Sequence, residues 1–124
     1  MRLIYAILIF SSVLTTLAEC QETSEDWYNE GIDLMGEQKY NNAIKAFDKA
    51  TSLDSSNSQA WTKKAEVFFE MERYDDAIRA CDEAIWLDPM DSWSWFIKGD
   101  ALRELGKTGD ANVAIAFATI FKGL

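Results

Sequence analysis

The sequence predicts an all-α protein, an α-solenoid of three helix-turn-helix units (six helices) winding as a right-handed superhelix. Three observations carry this reading. Trp27, Trp61 and Trp95 stand 34 residues apart, and so do Ala43, Ala77 and Ala111, then Ala50, Ala84 and Ala118; such a fixed period is the mark of a repeat architecture. Within each period, apolar and small residues recur at steps of 3, 4 and 7, which is the spacing of one helix face. No β signal of any length interrupts the pattern.

The elements follow in chain order. The first helix of each unit is expected near 24–37, 58–71 and 92–105, and the second near 40–53, 74–87 and 108–121. Asp54-Ser55-Ser56-Asn57 and Asp88-Pro89-Met90-Asp91 supply turns between units. Asn57 and Asp91 are suited to cap the next helix, because a short polar side chain there accepts from the first free backbone N–H groups. Asp75 and Asp76 put negative charge in the first turn of a helix, where the macrodipole favours it. Gly31, Ala65 and Gly99 are small at one register, Leu34, Phe68 and Leu102 apolar at another, and Phe47, Cys81 and Ile115 apolar at a third. Tyr40, Tyr74 and Thr108 mostly agree. Ala43, Ala50, Ala77 and Ala84 let helices approach closely, while the larger side chains, with Trp27, Trp61 and Trp95 read as core, fill the space between. No unit can bury its apolar face alone, so the three stack.

Trp27-x3-Gly31-x2-Leu34, then Tyr40-x2-Ala43-x3-Phe47-x2-Ala50, with Pro89 closing the second copy, resembles the tetratricopeptide repeat (TPR) family from Ser24 to the C-terminus. On that resemblance the units are 24–57, 58–91 and 92–124, after a lead of 19–23, and the third unit has no C-terminal capping helix. The resemblance implies a non-catalytic module that binds a peptide or protein segment in the concave surface lined by the first helices. The family's registers for that groove fall on Tyr28, Ile32 and Met35; on Gln59, Thr62, Glu66 and Phe69; and on Trp93, Phe96, Asp100 and Arg103. Members that hold the C-terminal tails of Hsp70 and Hsp90 use a clamp of Lys, Asn, Asn, Lys and Arg. Those registers here carry Tyr28, Ile32, Lys63, Trp93 and Ile97, so the clamp is absent and such tails are not expected as partners.

Composition narrows the chemistry. The 124 residues carry 12 Lys+Arg against 21 Asp+Glu, a formal charge of −9, and no His. Without His the commonest general base and all His metal sites are gone, and the acidic balance argues against nucleic acid. No cofactor or metal is expected: the carboxylates at Glu66 and Glu70, and at Asp75 and Asp76, read as solvated acidic faces, and no Ca²⁺-loop motif is present. Cys81 shares the register of Phe47 and Ile115 and reads as a buried small apolar group, with no His to activate it.

Residues 1–18 read as a secretory signal peptide. Arg2 forms the n-region, Leu3 to Phe10 the apolar core, and Thr16-Leu17-Ala18 a small-residue cleavage site;. An uncleaved membrane anchor is the alternative. Leu17-Ala18-Glu19-Cys20 resembles a bacterial lipobox, except that Glu19 stands where Gly, Ala or Ser is needed. The protein is therefore expected to be secreted, or membrane-associated on the outer side of the cytoplasmic membrane.

The last helix departs from its copies. Where the first unit has Lys45, Lys49 and Ser52 and the second has Arg79, Glu83 and Trp86, the third has Val113, Phe117 and Ile120, followed by Phe121. Steps of 4 and 3 make these one stripe. The expectation is that another molecule covers it, a second copy in a two-fold homodimer before a different partner or a membrane surface. That supports the alternative function: a structural subunit self-associating in an envelope assembly.

Overall fold

The structure, a computed structural model, describes residues 21–124. The expected signal peptide, its cleavage site and Cys20 lie outside the described residues. Among those described there are six helices and no strand: α1 (Ser24–Gly36), α2 (Tyr40–Leu53), α3 (Ser58–Glu70), α4 (Tyr74–Leu87), α5 (Ser92–Glu104) and α6 (Thr108–Lys122). They pair as α1 with α2, α3 with α4 and α5 with α6, and each second helix packs on the next first helix. This is the expected solenoid, and each bound lies within a residue of its expected place.

The caps explain the bounds. Asn57 accepts from Ala60 N and Asp91 from Trp93 N. Thr23 opens α1 with a reciprocal capping box, its hydroxyl accepting from Asp26 N while the Asp26 carboxylate accepts from Thr23 N;. These bonds to Thr23 hold the Asp26 carboxyl below its ordinary pKa. Inside each unit the turn uses a left-handed residue at one register: Gln38 (φ 59°), Glu72 (φ 57°) and Gly106 (φ 76°).

The small residues sit at helix contacts, as expected. Ala43, Ala50, Ala77, Ala84 and Ala111 are completely buried. The pairing of Gly31, Ala65 and Gly99 with Phe47, Cys81 and Ile115 is size-matched. A Cβ added at Gly31 would lie 2.5 Å from the Phe47 ring, and one at Gly99 2.6 Å from Ile115 Cδ1. The middle unit can carry Ala65 because its opposite residue is the smaller Cys81. Cys81 is a free, fully buried thiol, and burial pushes its pKa well above the ordinary range.

The three repeat tryptophans correct the expectation of a core position. Trp27, Trp61 and Trp95 are half-buried. Each lies along the outer seam between the two helices of its unit, where one edge packs and one ring face meets solvent or a neighbouring side chain. Lys64 Nζ lies 4.8 Å from the Trp61 ring centre, and Lys98 Nζ 5.6 Å from that of Trp95. The same two lysines tie successive units together: Lys64 pairs with Asp48 of α2, and Lys98 with Asp82 of α4. The ion pair thus repeats with the 34-residue period.

Candidate functional site

Three first helices turn one face each toward the concave side, and the cleft there is built mainly by α3 and α5. A hollow of about 170 Å³ is lined by Met35, Phe69, Phe96, Trp93 and Ile97, with the carboxylates of Glu66, Glu70 and Asp100 around it. Trp93 is 49% exposed and Phe96 39%. Their spacing of three residues puts the rings on one helix face, where they stack with centres 5.3 Å apart and planes 14° from parallel. Phe69 meets Tyr74 edge-on at 5.3 Å.

Polar contacts fix the aromatic pair. Trp93 Nε1 donates to Glu66 Oε1 at 2.6 Å, and Lys63 Nζ donates to both Glu66 oxygens at 2.8 and 3.1 Å. Glu66, its side chain only 13% exposed, is therefore a shared acceptor that links α3 to α5, which corrects its reading as a solvated face. Asp100 Oδ1 accepts from Arg103 Nη1 at 2.8 Å. Beneath the cleft, Asp91 Oδ2 accepts from Ser94 Oγ at 2.6 Å and lies 2.9 Å from Thr62 Oγ1.

Six of the expected groove residues converge on the hollow: Met35, Glu66, Phe69, Trp93, Phe96 and Asp100. Four do not. Thr62 is only 7% exposed, because its hydroxyl is drawn into the junction with Asp91 and Ser94. Tyr28 and Ile32 are half-buried and pack on the Ala43–Phe47 cluster, with the Tyr28 and Phe47 ring centres 6.0 Å apart. Arg103 is exposed beside Asp100 but does not line the hollow. Glu70 and Ile97 are lining residues that the groove registers leave out; Glu70 is signalled by its place one turn after Glu66, and Ile97 by adjacency to Phe96.

A larger trough, about 700 Å³, runs along the outer seam of unit 1 beside Trp27, Leu34, Lys45 and Lys49. It recurs in unit 2 beside Trp61, Arg79 and Glu83, so it is a product of repeat geometry and not a built site. In unit 3 the α6 stripe enters this seam. Phe117 packs on Trp95 with ring centres 4.7 Å apart, and Phe121 at 6.5 Å. Phe117 nevertheless stays 39% exposed, and Val113 (57%) and Ile120 (58%) are exposed outside the seam. The stripe thus flanks the solenoid. The registers that face the following unit, those of Ile44 and Asp48 and of Ile78 and Asp82, carry Asn112 and Ala116 in α6.

Among the described residues, no three His, Cys, Asp or Glu side chains come together in a way that could hold a metal ion, and no helix is long and apolar enough to cross a membrane.

A family model described as tetratricopeptide repeat matches residues 28–92 and 62–116. No curated protein matches the chain. Solved structures do. The second TPR of Spaghetti (RPAP3), bound to the HSP90 peptide SRMEEVD, aligns with a TM-score of 0.78 and 23% identity, over 81% of this chain and 93% of that one. MamA aligns at 0.79 and 23%, over 82% of this chain and 59% of that one. The Yersinia enterocolitica type III secretion translocator chaperone SycD aligns at 0.78 and 23%, over 82% and 76%. At such identities the likeness is one of fold.

Proposed function

Because the chain belongs to the tetratricopeptide repeat family, we propose that it is a non-catalytic protein–protein interaction module that takes a peptide or protein segment into its concave cleft. The observation that carries this is the exposed, stacked Trp93–Phe96 pair beside a formed hollow. Large aromatics held in the open are the groups from which interfaces draw most of their energy, and rigid placement lowers the ordering cost of binding. Trp93→Ala and Phe96→Ala should each weaken partner binding while helicity by circular dichroism is kept; equal binding by both variants would move the site elsewhere.

An acidic tail, such as the HSP90 peptide of the Spaghetti structure, is not the ligand we propose. Lys63, the one cation at the clamp registers, already neutralises Glu66. Export belongs to the same proposal: residues 1–18 direct the chain out of the cytoplasm and are removed. Mass spectrometry of exported protein should find Glu19 first, whereas an intact Met1 on membrane-bound material would favour the anchor.

A second reading, self-association in an envelope assembly, is favoured by the exposure of Val113 and Ile120 along α6. Phe117→Glu with Ile120→Lys should then give a monomer that stays helical in sedimentation and dichroism measurements. An unmutated chain that is already monomeric at high concentration would remove this reading.

A further inference from the structure

The cleft also carries information about the chemistry of its ligand. The hollow's floor and walls are apolar or aromatic: Met35, Phe69, Trp93, Phe96 and Ile97. Its charged lining residues are all carboxylates, with no Lys or Arg among them. At about 170 Å³ it has the volume of five or six waters, enough for one long side chain and too little for a folded element. The three carboxylates are not equivalent. Glu66 is committed to Trp93 and Lys63. Asp100 has given one oxygen, Oδ1, to Arg103. Glu70 is exposed.

We propose that this hollow receives a cationic side chain, an arginine in preference to a lysine, from an extended segment of the partner. The proposal rests on the concave-cleft reading above and adds the ligand's charge to it. A cation over an aromatic face is attracted by the ring's quadrupole, and the stacked Trp93–Phe96 pair offers such a face within the same hollow as Glu70 and Asp100. Arginine suits the site best. Its guanidinium is flat, so it can lie against a ring while its edge donates to two carboxylates, and it is weakly hydrated compared with an ammonium. A ligand carboxylate placed there would meet the unpaired Glu70 and the free oxygen of Asp100, whose other oxygen is held by Arg103. The chain's net charge of −9 works in the same direction, drawing basic segments in and raising the rate of encounter.

The test is a random peptide library displayed on phage and panned against the full chain. The expected result is a set of binders that share an arginine at one fixed position among apolar residues. Replacing that arginine with citrulline, its neutral isostere, should weaken binding about tenfold or more, the size of one charge-assisted hydrogen bond, and replacing it with lysine should weaken it less. The Glu70→Gln, Asp100→Asn double variant, with helicity unchanged, should lose most of the preference for the arginine over the citrulline form, keeping only the part that the aromatic rings supply. Equal binding of the two forms by the unmutated chain, or preference for arginine retained in full by the double variant, overturns the cation site, and the cleft reading survives if Phe96→Ala still abolishes binding. Binders indifferent to Trp93→Ala and Phe96→Ala overturn the cleft reading and this proposal with it.

Discussion

Unit 3 shows aromatic rings on two faces of the same helix, and they are held in different ways. On the outer flank, Trp95 is covered by Phe117 and Phe121 of its own unit and donates its Nε1 to Pro89 O. On the concave face, Trp93 donates to Glu66 of the preceding unit, stacks on Phe96 and stays half in solvent. The flank aromatics complete a helix pair. The concave aromatics bridge two units and leave their faces open. Exposure alone does not tell these roles apart: Trp86 of α4 is 83% exposed, yet it does not line the concave hollow.

The largest expected effect is on stability. Trp95→Ala should cost about 2–4 kcal/mol, since it strips the seam between α5 and α6 of its largest packed group. Trp93→Ala should cost under about 1 kcal/mol and instead weaken partner binding by about 2 kcal/mol. Urea unfolding of both variants, beside a binding measurement, would break the comparison if the two tryptophans exchanged roles.

Beneath both faces lies the Gly99–Ile115 contact. Gly99→Ala should destabilise by roughly 1–3 kcal/mol, because the added methyl has no room against Ile115 and overpacking outweighs the helix propensity gained. Adding Ile115→Cys copies the Ala65–Cys81 pair of the middle unit and should recover most of the loss in the same unfolding assay. Failure to recover would mean that the size matching between units is coincidental.

Most of the fold was legible because the repeat states each structural requirement three times. A 34-residue period in Trp27, Trp61 and Trp95 places the units, and turn residues such as Asn57 and Asp91 place the helix starts, so the bounds are good to a residue. What one copy does differently was harder to read. The register of Thr62 is a groove register, but its hydroxyl finds Asp91 at the end of its own unit and Ser94 of the next, contacts of long sequence separation. Glu66 looks like a surface carboxylate until Trp93, 27 residues on, is folded against it. Phe117 reads as wholly outward because its counterparts in the other units are Lys49 and Glu83; in unit 3 its ring, with that of Phe121, packs on Trp95 while keeping part of its surface open. Periodicity reports what the units share, and the candidate site is made from what they do not.

Two smaller effects sharpen the contrast. Glu66→Leu removes the acceptor of the Trp93 indole and leaves Lys63 without its partner, and should destabilise by about 1 kcal/mol, since Lys63 can turn its ammonium to solvent;. The Trp93 Nε1–H resonance should move and broaden in an NMR spectrum while that of Trp95 stays in place. Glu72→Gly relieves a left-handed backbone position and should stabilise the chain by about 0.5–1 kcal/mol without altering either face. Gly106→Ala at the matching turn should lose a similar amount. Thermal unfolding reads both.

The central claim is that the concave cleft, and not the outer flank, is the recognition surface. It is tested most directly by chemical-shift mapping of the full chain, labelled with ¹⁵N and with ¹³C methyl groups, as a library-selected peptide is added. The account predicts that the Trp93 indole N–H, the Met35 methyl group and the backbone amides of Phe69, Phe96 and Asp100 shift together and saturate together. Shifts confined to Trp86, Val113, Phe117 and Ile120, with the Trp93 indole unmoved, would contradict it.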